Sequence, residues 1–151
     1  MNVRRLTTVA EVVRLWPFFV DGFVFVEHYL RYTLPLDTYR KILQSQVKKP
    51  TSWVGVTFDD PITPVCFACA HDVTPLFSKD DEKEVSMLFH KPGRLDAAMI
   101  LQKAFEDWCR SEGAVRYYVT TRRDNPSALR CFQSDRYGLK RAYTVFKKDL
   151  R

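Results

Sequence analysis

The chain has 151 residues, of which 46% are hydrophobic and 28% charged, with 24 Lys and Arg against 18 Asp and Glu for a net charge of +6. That size suits a single domain over residues 1–151 that buries most of its apolar surface, and the composition excludes a disordered or low-complexity chain. The longest apolar run, residues 16–26, is broken by Asp21 and Gly22, and the N-terminal residues lack a signal-peptide core, so a cytoplasmic chain with no membrane contact is expected. The basic balance suits an anionic partner such as a phosphorylated small molecule, nucleic acid or an acidic protein face, and a solvated surface accounts for it equally.

Residues 3–7 read as a first strand. Residues 8–16 read as a helix, with Thr8 and Glu11 as a capping box and Val9, Val12, Val13 and Trp16 on one face. Pro17 is expected to disturb it. Residues 18–32 are aromatic around Asp21 and Gly22, and fit either a core-packing segment or a helix–turn–helix lip over a cleft. Residues 36–48 read as a helix with Tyr39, Ile42, Leu43 and Val47 inward, stopped by Lys48, Lys49 and Pro50. Residues 53–58 and 65–73 alternate as a hairpin around the turn at 59–64, and residues 74–83 read as a polar loop. Cys66 and Cys69 have metal-like spacing, but no second Cys or His pair completes a site. Three residues apart on a strand they face opposite sides, so buried thiols and no metal are expected.

Residues 84–151 carry most of the functional signal. They read as strand (84–89), basic glycine turn (His90 to Arg94), helix (96–110), strand (115–121), a second helix opened by Asn125 and Pro126, and a last strand (140–150). The first helix carries Ala97, Leu101, Ala104, Phe105 and Trp108 on one stripe. Asn125 is a preferred N-cap, and Pro126 fits the first helical position. A basic turn between a strand and a helix suits phosphate, because free helix N–H groups point at the ligand there.

This order, with Asn125, Ala128, Leu129 and Phe132 at their mutual spacing and Gly138-Leu139 beyond, resembles the GNAT acyltransferase superfamily. The resemblance implies an α/β fold, one GNAT-like domain with a mixed sheet of about six to seven strands and about four helices. It implies transfer of an acetyl group from acetyl-CoA to a primary amine of a small molecule or protein. It places the diphosphate turn at Lys91, Gly93, Arg94, Leu95, Asp96, Ala97 and Ala98, where Asp96 stands at a position usually held by glycine. It places the thioester arm against the backbone of Leu88 and Phe89 and beside Asn125, Ala128 and Phe132. Glu84 is the first candidate for the general base, with His71 and Asp72 next. Phe132 stands where many relatives carry a tyrosine acid, and Tyr137 is the nearest substitute. The family also implies a homodimer through an edge strand.

Two other readings follow from the residues. Asp96 and Phe132 fit a GNAT-like fold without catalysis that binds a protein partner or serves assembly, as in a phage-type structural protein. Basic residues interleaved with Tyr117, Tyr118, Tyr137 and Tyr143 fit a nucleic-acid module, although no nucleic-acid motif is present.

Overall fold

Alternating apolar residues build the centre of the sheet in the computed structural model, which describes residues 1–26, 34–73, 79–121, 125–141 and 148. The strands are β1 (Asn2–Arg5), β2 (Trp53–Phe58), β3 (Pro64–Asp72), β4 (Glu82–His90) and β5 (Arg116–Val119). They form one mixed sheet in the order β1-β2-β3-β4-β5, antiparallel except for the parallel pair β4–β5. The helices are α1 (Val9–Val26), α2 (Leu36–Gln46), α3 (Leu95–Ser111) and α4 (Pro126–Phe132), followed by a 3-10 turn, Asp135–Tyr137. Five strands among the described residues is fewer than the six to seven expected. The strand expected at 140–150 falls largely on residues outside the described set.

The two faces of the sheet bury separate cores. On one, Phe19, Phe23 and Leu43 of α1 and α2 meet Val56, Phe67 and Phe89. On the other, Ala97, Leu101, Phe105 and Trp108 of α3 meet Trp53, Ala68 and Val85. Every residue of β2 is buried, as a strand covered on both faces requires. The α3 stripe and the β2–β3 hairpin stand where the sequence predicts them. The loop expected through Lys83 ends sooner, because Glu82 and Lys83 belong to β4. Both are buried with ionic partners, Arg116 Nε at 3.4 Å from Glu82 and Asp72 at 3.3 Å from Lys83.

The helix α1 corrects the expectation at Pro17. The capping box forms as read, with Thr7 and Thr8 N–H groups donating to Glu11 at 3.0 Å and Glu11 N–H donating to Thr8 Oγ1 at 3.3 Å. The helix then runs through Pro17 to Val26. Proline removes the bond to the carbonyl four residues back, but Val13 and Pro17 both lie on the exposed side of the helix, away from the core. Burial of Phe18, Phe19 and Phe23 outweighs the lost bond. Over residues 18–26 the aromatic segment is therefore core-packing helix, and Asp21 and Gly22 make no turn. Residues 27–33 lie outside the described set. In α2, Leu43 and Val47 are buried and Tyr39 stacks on Phe23 at 4.3 Å, whereas Ile42 is exposed.

Gly22 is where α1 presses closest to the sheet. A Cβ there would lie 2.4 Å from Phe67 Cε1 and 2.9 Å from Phe89 Cδ1. Phe67 is fully buried and cannot swing away. Alanine is the better helix former by about 1 kcal/mol, but overpacking costs about 1–3 kcal/mol. Gly22→Ala is expected to lower stability in chemical denaturation, and an unchanged or higher midpoint would refute the close packing.

Cys66 and Cys69 do face opposite sides, Cys66 in the α3 core and Cys69 in the α1 core. Burial pushes both thiols up to about 12, and that of Cys109 also to about 12. An unfolded thiol ionises near ~8.5. Between these values the native state holds protons that the unfolded chain has lost, so stability is complete below about pH 8.5 and falls as pH rises toward 12. At pH 8 a thiol reagent is expected to find at most Cys131 rapidly in the folded protein and all four cysteines after denaturation. More than one fast thiol per folded chain contradicts this.

Candidate active site

The site begins with a break in strand pairing. β5 runs beside β4 for four pairs, from Glu82↔Arg116 to Val85↔Val119, and then ends. β4 continues to His90 with β3 as its ladder partner. The break coincides with a bulge. Cys69 opposes Met87 and Ala70 opposes Val85, which leaves Ser86 as the extra residue, with its hydroxyl donating to Cys69 O at 3.1 Å. Lys91 N–H donates to Val65 O at 2.9 Å, which fixes the ladder's phase. In that phase Phe89 and Met87 bond to β3, while Leu88 and His90 turn their amides away from β3 toward the gap left by β5.

An apolar cleft lies in this gap. Leu88, Ala98, Leu101, Val119, Phe132 and Leu139 contribute walls, and Tyr117 and Tyr137 close it. Of the predicted residues, Leu88, Ala98, Phe132 and Tyr137 converge here. Phe132 and Tyr137 stand ring-edge to ring-face, 6.1 Å between centroids. Burial, followed by the contact with Cys131, pushes the Tyr137 hydroxyl well above its usual range, so it keeps its proton at neutral pH. The cap on α4 forms as read, Asn125 Oδ1 accepting from Ala128 N–H at 3.1 Å. Phe89 does not line the cleft. Its side chain packs in the α1 core, so only its backbone belongs to this strand edge.

Gln102, Glu106 and Tyr117 form a network that motif spacing did not reveal. Gln102 Nε2 donates to Tyr117 Oη at 2.8 Å and to Tyr137 O at 3.0 Å, and Tyr117 Oη donates to Glu106 at 2.9 Å. It ties α3, β5 and the 3-10 turn together beneath the cleft. The four-residue spacing of Gln102 and Glu106 on α3 was the only local signal.

The candidate bases stand on the other face. Val85 packs into the α3 core, so Glu84 points to the α1 side. His71, Glu84 and Tyr118 are direct register partners across β3, β4 and β5. Thr120 Oγ1 donates to Glu84 Oε1 at 3.1 Å. The fold thus brings Glu84 and His71 together and sets Tyr137 across the sheet from them, with the gap beside Leu88 between the two sides. Asp72 pairs with Lys83 and is exposed.

The turn departs from the expectation for Arg94. Gly93 takes φ +76°, which favours glycine, and Arg94 N–H closes the turn on Lys91 O at 3.0 Å. The Arg94 side chain is a phosphate candidate by sequence, but two carboxylates hold it. It bonds to both oxygens of Asp59, with Nη2 at 2.6 Å from Oδ1, and to Asp96, with Nε at 3.1 Å from Oδ1. The guanidinium, foremost among its partners, holds both carboxyls below the usual carboxylate range. The Ala97 and Ala98 N–H groups donate to Arg94 O at 3.1 and 3.4 Å, so backbone and not a side chain closes the first turn of α3. Lys91 lies with its ammonium 5.6 Å from the Phe18 ring centre. Leu95 packs at the edge of the α3 core, and Ala97 is fully buried within it. The gap beside β4 is apolar, and the Leu88 amide turned toward it has no ladder partner among the described residues, whereas the Arg94 side chain of the turn is already held by two carboxylates.

No protein-family model matches the chain, and no curated protein matches it in sequence. Solved structures match its fold over nearly their whole length. A probable acetyltransferase superposes with TM-score 0.76 at 19% identity, covering 99% of both chains. The aminoglycoside 6'-N-acetyltransferase AAC(6')-Ih from Acinetobacter baumannii gives 0.75 at 12% identity, again over 99% of each chain. The ribosomal-protein-alanine N-acetyltransferase from Brucella melitensis biovar Abortus 2308 gives 0.69 at 10% identity, over 99% of this chain and 100% of that one. At such identities the likeness is one of fold. Taken with the parted β4 and β5 and the Asn125-capped helix beside them, it shows that this chain has the fold of the GNAT acetyltransferases.

Proposed function

We propose that this chain is a single-domain GNAT N-acetyltransferase that moves an acetyl group from an acyl thioester, with acetyl-CoA as the expected donor, to a primary amine. The observation that carries this reading is the gap opened at Ser86. It offers an outward-facing amide at Leu88, apolar walls and a carboxylate beside an imidazole on the far side. Structural neighbours include acetyltransferases named for a small aminoglycoside and for a ribosomal protein, so the acceptor here is proposed only as a primary amine.

The roles follow from the chemistry. A free amine is protonated at neutral pH, with a pKa near ~10.4 for a lysine-like group, and must lose that proton before it can attack. Glu84, steadied by Thr120 and beside His71, takes the proton directly or through one water. The Leu88 N–H donates to the thioester carbonyl as negative charge grows on its oxygen. The new bond is N–C, the broken bond is C–S, and the departing thiolate receives a proton from Tyr137. The donor supplies the activated acyl group, and its arm lies against Leu88, Ala98 and Phe132. The Asn125 cap and Ala128 hold α4 beside them.

Thiol release from acetyl-CoA against a panel of small primary amines and N-terminal peptides tests the reading. Glu84→Gln is expected to lower kcat by on the order of 10²-fold or more with little change in the donor's KM. Turnover untouched by Glu84→Gln would remove Glu84 from the mechanism. Absence of turnover with every amine would favour the second reading, a GNAT-like fold serving a protein partner, which the clasped Arg94 also suits.

A further inference from the structure

We propose that Asp59 sets the donor specificity of the cleft by holding Arg94 away from a diphosphate, so that recognition of the acyl donor falls on its pantetheine arm. This rests on the acyltransferase reading and deepens it. The guanidinium has five N–H donors, and its contacts use both of its forks. Nη1 and Nη2 meet the two Asp59 oxygens, Nε and Nη2 meet Asp96, and Nη2 also touches Met1 Sδ at 3.1 Å. Asp59 is the first residue past β2, and Arg94 is the residue before α3, so the contact joins two connections at the same end of the sheet, 35 residues apart in sequence.

One guanidinium lies between two carboxylates, and the N-terminal ammonium also acts on Asp59. A diphosphate that sought Arg94 would have to displace a carboxylate that chelates it and would then lie beside that carboxylate unpaired. Asp96 adds a second obstacle, since it sets another carboxylate in the first turn of α3, beside the place an anion would take. Lys91 is the remaining cation of the turn, and its ammonium faces the Phe18 ring. The pantetheine arm meets none of these obstacles. It is uncharged, and the outward amides of β4 and the apolar walls beside Phe132 suit an amide-bearing chain. Asp59 and Arg94 are both partly open to solvent, 39% and 25% exposed, so the clasp is a displaceable competitor and not a structural anchor.

The test is titration calorimetry on the full chain with acetyl-CoA and with S-acetyl-pantetheine, which lacks the diphosphate. The proteins are the wild type, Asp59→Asn and Asp60→Asn. Asp60 removes the same charge one residue away, but its carboxylate bonds to Ile62, Thr63 and not to Arg94. The wild type is expected to bind the two donors within about threefold, Asp59→Asn to tighten acetyl-CoA about tenfold and leave S-acetyl-pantetheine unchanged, and Asp60→Asn to alter neither. The inference is overturned if the wild type prefers acetyl-CoA by tenfold or more, if Asp59→Asn gives no tightening, or if Asp60→Asn matches it. Donor binding with no effect of Asp59→Asn sinks this inference alone. Failure of both donors to bind any of the three proteins sinks the acyltransferase reading, and this inference with it.

Discussion

Everything at the candidate site depends on β4 keeping its ladder to β3 after β5 has left its other edge. Beyond Val85 one edge of β4 has no ladder partner among the described residues, and a strand edge left unpaired costs about 1–3 kcal/mol for each buried polar group that water cannot reach. The strand remains because it is held from both faces. Phe89 is locked among Phe18, Phe25 and Phe67 on the α1 side, with ring centres 5.6 to 5.8 Å apart. Val85 and Leu88 face the α3 core. Burial of a side chain such as Phe89 is worth about 2 kcal/mol, which offsets the unmade backbone bonds. The same bonds are what the proposed thioester arm would satisfy, so the feature that weakens the sheet is the one on which the proposed donor site rests.

The bulge at Ser86 does a second job. A strand alternates its side chains, and one extra residue shifts the phase of all that follow. Upstream of the bulge, Glu84 points to the α1 side and Val85 to the α3 side. Downstream, Met87 and Phe89 point to the α1 side and Leu88 to the α3 side. The proposed acid–base groups divide between the two faces. His71, Glu84 and Tyr118 form a row on one, and Tyr137 belongs to the other. A reacting carbonyl in the gap would have a carboxylate on its amine side and a phenol on its thiol side without any group having to move across the sheet.

What could be read from the sequence was local. The Thr8–Glu11 box, the α3 stripe and the Asn125 cap involve residues three or four apart, and each formed as spacing predicts. The outward amide at Leu88 was legible only as part of a family pattern, because ladder phase has no side-chain signature. Pro17 misled because its cost is local and its compensation is tertiary, namely the burial of Phe18, Phe19 and Phe23 against strands more than 40 residues away. Glu82 and Lys83 misled for the same reason. Charged residues read as loop until their partners are known, and Arg116 and Asp72 are supplied by other strands. The role of Arg94 was hidden by distance, since nothing about Asp59 beyond a turn signal marked it as a partner.

The net charge of the whole chain bears less on an incoming anion than do the partners that Arg94 already holds. A net +6 acts through solvent and is screened over about 8–10 Å at ordinary salt. A carboxylate at contact distance from an incoming phosphate is screened far less. A basic isoelectric point therefore carries little weight as evidence for a phosphate site when Arg94 is already held between two carboxylates. The physical question is which partner Arg94 prefers. A carboxylate from its own chain enjoys a high effective concentration, whereas a diphosphate offers more charge but must first displace a bidentate pair. That competition, and not the sum over 24 basic and 18 acidic residues, decides how the turn treats an anionic donor.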